Sequence, residues 1–98
     1  MSNQHEIPQV RLASRDDLFD IVHFNISMAL ETEDIALNNE EITQGVQAVF
    51  DDSHLGRYCV ATINNQIVGS LLLTTEWSDW HNKYYWWIQS VYVNPQYR

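Results

Sequence analysis

The apolar positions of this chain follow two different periods. As far as Phe50 they recur every three or four residues; from Arg57 onward they alternate or run continuously. The first period marks amphipathic helices and the second marks strands. A short exception opens the chain. "QVRLA" (9–13) alternates and predicts a strand with Val10 and Leu12 on one face. "SRDDLFDIVHFNISMALE" (14–31) then predicts a helix. Ser14 suits its N-cap, and Asp17, three residues on, suits both the cap and the helix dipole. Phe19, Val22, Ile26 and Leu30 form one apolar row, Leu18, Ile21 and Val22 another, and Asn25 interrupts the stripe. "TEDIALN" (32–38) reads as a loop. Asn38 opens a second helix signature, with Glu40 and Glu41 in its first turn. Ile42, Val46, Val49 and Phe50 make its stripe; Gly45 weakens it by up to ~1 kcal/mol against alanine. "DDSHLGR" ends it.

The second half reads as strands. "RYCVATI" (57–63) is rich in branched and aromatic residues, "NNQ" (64–66) makes a tight hairpin connection, and "IVGSLLLTTE" (67–76) is the partner strand. After a polar tip, "SDWHNK", comes "YYWWIQSVYV" (84–93). Strict alternation puts Tyr84, Trp86, Ile88, Ser90 and Tyr92 on one face and Tyr85, Trp87, Gln89, Val91 and Val93 on the other. Both faces of the last two strands are apolar, which predicts central positions in the sheet. The order is β-α-α-β-β-β, an α+β domain over residues 1–98. Two helices cover one face of such a sheet, and nothing in the remaining sequence is left to cover the other.

Composition narrows the classes. Ninety-eight residues suit one domain with a single core. One cysteine, Cys59, excludes a disulfide within the chain and fits a reducing, cytoplasmic setting. Thirteen acids against five bases give a net charge of −8, which repels nucleic acid and attracts cationic ligands such as amines. "MSNQHEIPQV" has neither a basic nor an apolar signal region, and no run approaches the ~18–20 apolar residues of a membrane span. No nucleic-acid or membrane partner is expected.

Catalytic signatures are sparse. His5, His23, His54 and His81 lack metal-ligand spacing, so no metal site is expected. No nucleophile elbow, P-loop or dinucleotide fingerprint occurs. Cys59, in mid-strand, reads as a small buried apolar residue. Glu31, Glu33 and Glu76 are carboxylates at element ends, each read singly as solvated. All four tryptophans lie between Trp77 and Trp87. Tyr85, Trp86, Trp87 and Tyr92 read by default as core. Trp77 and Trp80, at a polar tip, suit an organic cation or a protein contact patch. Base stacking is the weakest reading, because it needs a basic surface.

"IQSVYVNPQYR" (88–98) resembles the fourth strand and the approach to the cofactor loop of the GNAT superfamily of acyl-CoA-dependent N-acetyltransferases. Val91, Tyr92, Val93, Asn94, Pro95 and Arg98 carry the resemblance, and "IVGSLLL", with Gly69, is similar to the family's third strand. The resemblance implies a mixed, mostly antiparallel sheet and acetyl-CoA as co-substrate. It implies that backbone groups of Val91, Tyr92 and Val93 bind the pantetheine arm, with Arg98 opening the pyrophosphate loop. It implies an acceptor site for a small cationic amine near Asn25, Glu31, Glu33, Trp77 and Trp80. The glutamate that many members carry on the fourth strand is replaced by Trp86, Trp87, Ile88 and Gln89. A water held by Gln89, or Glu76 itself, is then the expected base.

The family's glycine-rich loop, following helix and later strands lie beyond Arg98. The chain therefore resembles about two-thirds of a domain, truncated after the fourth strand. Alone it is expected to be inactive, to bind acetyl-CoA weakly or not at all, and to self-associate, for instance as a homodimer, through the uncovered sheet face. The competing reading is a non-catalytic interaction module, or truncated remnant, with an aromatic contact patch.

Overall fold

A computed structural model describes residues 7–98. His5 and most of the N-terminal stretch read for a signal lie outside them. Strand β1 (Gln9–Leu12) leads through a 3-10 turn (Arg15–Asp17) into helix α1 (Leu18–Glu33). Helix α2 (Asn39–Asp51) and strands β2 (Arg57–Ile63), β3 (Gln66–Ser78) and β4 (Lys83–Val93) follow, then a 3-10 turn (Pro95–Tyr97). The sheet order is β1-β2-β3-β4, and every pairing is antiparallel. No helix among the described residues is long and apolar enough to cross a membrane.

Local chemistry sets the joints. The Asp17 carboxylate accepts the Ser14 amide at 2.8 Å and two Arg11 guanidinium bonds at 2.7 and 3.1 Å. One buried side chain thus ties β1 to the start of α1. Arg11, aided by Ser14, holds the Asp17 carboxyl below the usual carboxylate range. Helix α1 runs two residues into the expected loop and stops at Asp34, whose left-handed backbone returns its amide to Leu30. Asn38 caps α2 by accepting the Glu41 amide at 2.8 Å. Asn64 and Asn65, both at positive φ, make the two-residue turn between β2 and β3, a conformation that favours asparagine and glycine.

The buried face of α1 is Ile21, Val22, Phe24, Asn25 and Ala29. Phe19 and Leu30 are exposed, so the expected Phe19–Leu30 row is not the core stripe. The sheet meets the neighbouring row instead. Asn25 belongs to that row, and its amide is satisfied by donating to the Ile21 carbonyl at 3.1 Å. Ile21 and Val22 pack with Val46, Tyr58 and Val60, and Ile42, Val49, Phe50 and Leu72 close around them. This core lies between the helices and one face of β2 and β3.

Strand β4 departs from expectation in three ways. It is an edge strand of the described sheet, not a central one. Its alternation also breaks. Ser70 pairs with Tyr92 but Leu72 pairs with Gln89, so β4 carries one extra residue at Ser90, which has φ 55°. The bulge moves Tyr92 onto the face of Tyr85, Trp87 and Gln89. It moves Val93 onto the face of Tyr84, Trp86 and Ile88. Finally, β2 stops pairing at Arg57–Leu73, while β3 and β4 continue together to Ser78–Lys83. Residues 74–78 and 83–87 therefore form a two-stranded arm on a molecule measuring 53 × 32 × 26 Å. The core reading fails for Trp86 (59% exposed), Trp87 (53%) and Tyr85, because no helix or third strand among the described residues reaches the arm. Tyr92 is buried as expected.

Candidate functional site

The bulge opens the region beside it. Val91, Tyr92 and Val93 line a groove of about 400 Å³ with Met28, Glu31, Thr32 and Arg98. One wall is the last turns of α1 and the other is the end of β4. Gly69 permits the close packing behind it: a Cβ at that position would lie 2.8 Å from the Tyr92 carbonyl oxygen.

Three side chains organise the groove. The Tyr92 ring packs on Phe24, with centroids 5.4 Å apart, and its hydroxyl donates to Glu31 Oε2. Arg98 Nη2 donates to the other Glu31 oxygen at 2.9 Å, and Arg98 Nε donates to the Val93 carbonyl at 2.8 Å. The Arg98 guanidinium sits 5.1 Å from the Tyr92 ring centroid, a cation–π distance. The turn Pro95–Tyr97 aims Arg98 back at the strand; Asn94 anchors it by donating its amide to the Val68 carbonyl at 2.8 Å. The Tyr92 hydroxyl first, and Arg98 second, hold Glu31 below the usual carboxylate range. The Glu31 carboxylate in turn pushes the Tyr92 hydroxyl up. The groove thus has a fixed anion on α1, a cation partly spent on that anion, and a strand edge along its wall.

A polar row continues along the same face of β4. Gln89 Nε2 donates to Thr74 Oγ1 at 2.8 Å, and Trp87 Nε1 donates to Glu76 Oε1 at 2.8 Å. Gln89 pairs with Leu72, two residues along β3 from Ser70, the partner of Tyr92. At strand rise that is roughly 7 Å, whereas Glu76 is roughly 20 Å along.

Glu31, Val91, Tyr92, Val93 and Arg98 therefore meet in one groove, with Gln89 next along the strand. The other expected residues do not join them. Asn25 is buried beside Tyr58. Glu33 is exposed at the end of α1. Trp77 faces away from the helices, edge-on to Tyr84 at 5.1 Å. Trp80 is 89% exposed at the hairpin tip. Sequence reasoning missed Met28, one helical turn before Glu31, and Thr32, the residue after it. It also missed the bulge, since serine gives no warning of a left-handed backbone.

A family model described as the acetyltransferase (GNAT) family matches residues 20–98. Among solved structures, a possible acetyltransferase from Clostridium difficile 630 is 43% identical, with a TM-score of 0.89 over 95% of this chain and 61% of its own. A predicted acetyltransferase from Clostridium acetobutylicum, solved with acetyl-CoA, is 22% identical, with a TM-score of 0.70 over 94% and 63%. A GCN5-related N-acetyltransferase from Ralstonia eutropha JMP134 is 17% identical, with a TM-score of 0.75 over 94% and 65%. The last two share the fold. No curated protein matches in sequence. The chain spans about three-fifths of the length of these structures. Matched over most of its own length by that single family model, this chain belongs to the GNAT acetyltransferase family.

Proposed function

We propose that this chain carries the cofactor strand and part of the acceptor site of an acetyl-CoA-dependent N-acetyltransferase whose substrate is a small cationic amine. The observation that carries the reading is the groove at the β4 bulge, where Val91–Val93 lie beside the anionic Glu31. Bound acetyl-CoA supplies the acyl thioester. The residues present fit it through the strand edge at Val91 and Tyr92, beside the Val93 carbonyl that Arg98 already holds, and through Arg98, whose fork suits phosphate. Glu31 attracts the cationic acceptor and orients it. Gln89, next to the bulge, holds the water that takes the proton from the attacking amine. Glu76, farther along and bound by Trp87, is the weaker candidate for that role. The resemblance implies acceptor roles for Glu33, Asn25, Trp77 and Trp80 as well, but none of the four lines this groove. Cytoplasmic residence, with Cys59 free, is part of the same reading.

The test is thiol release from acetyl-CoA by the full-length gene product across a panel of amines. Turnover should favour cationic amines, and Glu31→Gln should raise KM for the amine at least tenfold. Absence of turnover with every amine, together with absence of acetyl-CoA binding, would sink the reading. For the 98-residue chain, Arg98, the one cation among the described residues lining the groove, is already held by Glu31. Calorimetric titration should therefore give weaker than micromolar acetyl-CoA affinity.

The exposed aromatic arm favours a second reading, a contact module. In either case we propose that the 98-residue chain self-associates through its uncovered aromatic surface.

A further inference from the structure

We propose that Tyr92 is a positioning residue, whose hydroxyl, turned to the helix side by the Ser90 bulge, fixes the Glu31 carboxylate for a cationic acceptor. The inference rests on the acetyl-transfer reading above, which uses only the backbone of Tyr92, and gives its side chain a role.

The bulge supplies the aim. Regular alternation along β4 puts Tyr92 on the face of Tyr84, Trp86 and Ile88, away from α1. The extra residue at Ser90 turns it over. Its ring is then buried against Phe24, with centroids 5.4 Å apart, and its hydroxyl donates to Glu31 Oε2. Ring and hydroxyl contribute differently. A phenylalanine fills the same space beside Phe24, whereas only the hydroxyl reaches the carboxylate. The bond joins α1 to β4, and both partners lie within the residues 20–98 that the family model matches.

Glu31 requires such a donor. It stands in the last turn of α1, where the helix dipole favours cations, and that turn carries no basic residue. Glu33 and Asp34 follow, so its own element surrounds it with negative charge. The Glu31 side chain is 39% exposed, and a long side chain at a helix end samples several rotamers unless another element holds it. Two groups face it from outside α1: the Tyr92 hydroxyl on β4 and the Arg98 guanidinium after it. Arg98 is itself half exposed, and exposed ion pairs fix geometry weakly. Tyr92 is buried on a strand, so its hydroxyl is the rigid one of the two. A phenol also holds the carboxylate without cancelling its charge, which a second cation would do. Each Glu31 oxygen accepts one bond here and keeps capacity for another, which an ammonium in the groove can take.

The test compares Tyr92→Phe with wild type in the full-length gene product. The variant keeps the ring beside Phe24, and thermal melting checks its fold. KM for a cationic amine should rise about fivefold with kcat within about twofold, the pattern of lost binding shared by ground and transition states. KM for acetyl-CoA should stay within about twofold, whereas a merely structural bond would disturb both KM values or neither. The acid limb of kcat/KM for the amine is the second readout. The Tyr92 hydroxyl, and then Arg98, hold the Glu31 carboxyl below its ordinary range. Removing the hydroxyl lets it rise, so the limb should move to higher pH. In the Glu31→Gln background the limb should vanish, and Tyr92→Phe should add no further rise in KM. An amine KM and an acid limb that match wild type overturn the role of Tyr92 and leave acetyl transfer standing. A KM rise that persists in full in the Glu31→Gln background overturns it as well, because the hydroxyl then acts elsewhere. Absence of turnover by the wild type with every amine overturns the acetyl-transfer reading itself, and the role of Tyr92 falls with it.

Discussion

The helix-covered block and the aromatic arm are built from similar residues and end in opposite states. In the block, Ile21, Val46 and Val60 are fully buried between two helices and β2–β3. In the arm, Trp77, Tyr84, Trp86 and Trp87 are larger and more apolar in area, yet each keeps half or more of its surface. Hydrophobic side chains do not bury themselves. Burial requires an opposing layer, and α1 and α2 supply one only over the sheet's inner strands. The contrast separates stability from contact: the block holds the fold, and the arm offers surface.

The largest test of this contrast is Ile21→Ala. The residue is completely buried, and losing its side chain leaves a cavity in the only helix–sheet core of the described residues. A cost of about 3 kcal/mol is expected, with a melting temperature lower by roughly 15 °C. A cost under about 1 kcal/mol would mean that the block is loosely packed and that the comparison is wrong on that side.

Much of the block was legible because its signals are local. Ser14 with Asp17, Asn38 with Glu41, and Asn64–Asn65 each act within four residues, and all three sit where their chemistry predicts. The arm was less legible, because continuous apolarity marks burial only where an opposing layer exists. The lengths carried a warning: the expected strand 57–63 has seven residues and its partner 67–76 has ten, so the partner must outrun it. The groove was half legible. Val91–Val93 and Arg98 came from a resemblance in one segment, but Glu31 meets Tyr92 across 61 residues and Arg98 across 67, distances over which periodicity says nothing. The Ser90 bulge had no local signal at all.

A smaller effect tests how the block is joined. Asp17→Asn removes the charge that binds Arg11 twice and weakens the hold on the Ser14 amide. The carboxylate is buried, so a cost of about 2 kcal/mol is expected by chemical denaturation at neutral pH. The pH dependence has a definite sign. The folded Asp17 has a depressed pKa, so its contribution is fully present above the unfolded value of ~3.9 and is lost as pH falls through the lower folded value. Wild type and variant should therefore converge in stability as pH falls below the unfolded carboxylate value and on through the depressed folded one. Parallel curves through that range would show that the ion pair does not form in solution.

The smallest expected effect is the most discriminating for the arm. Trp86→Ala deletes one of the largest side chains in the protein. If the arm is solvated on both faces, the global unfolding free energy of dilute protein should change by less than ~0.5 kcal/mol, because arm and block share no core. The same variant compared at high concentration should lag the wild type progressively, since self-association adds a concentration-dependent term that only the assembled chains enjoy. A cost of several kcal/mol in dilute solution would instead mean that Trp86 is buried within one chain. A single tryptophan substitution thus reads whether indoles on this arm behave as core, as solvent-exposed surface, or as an interface that exists only when a second copy arrives.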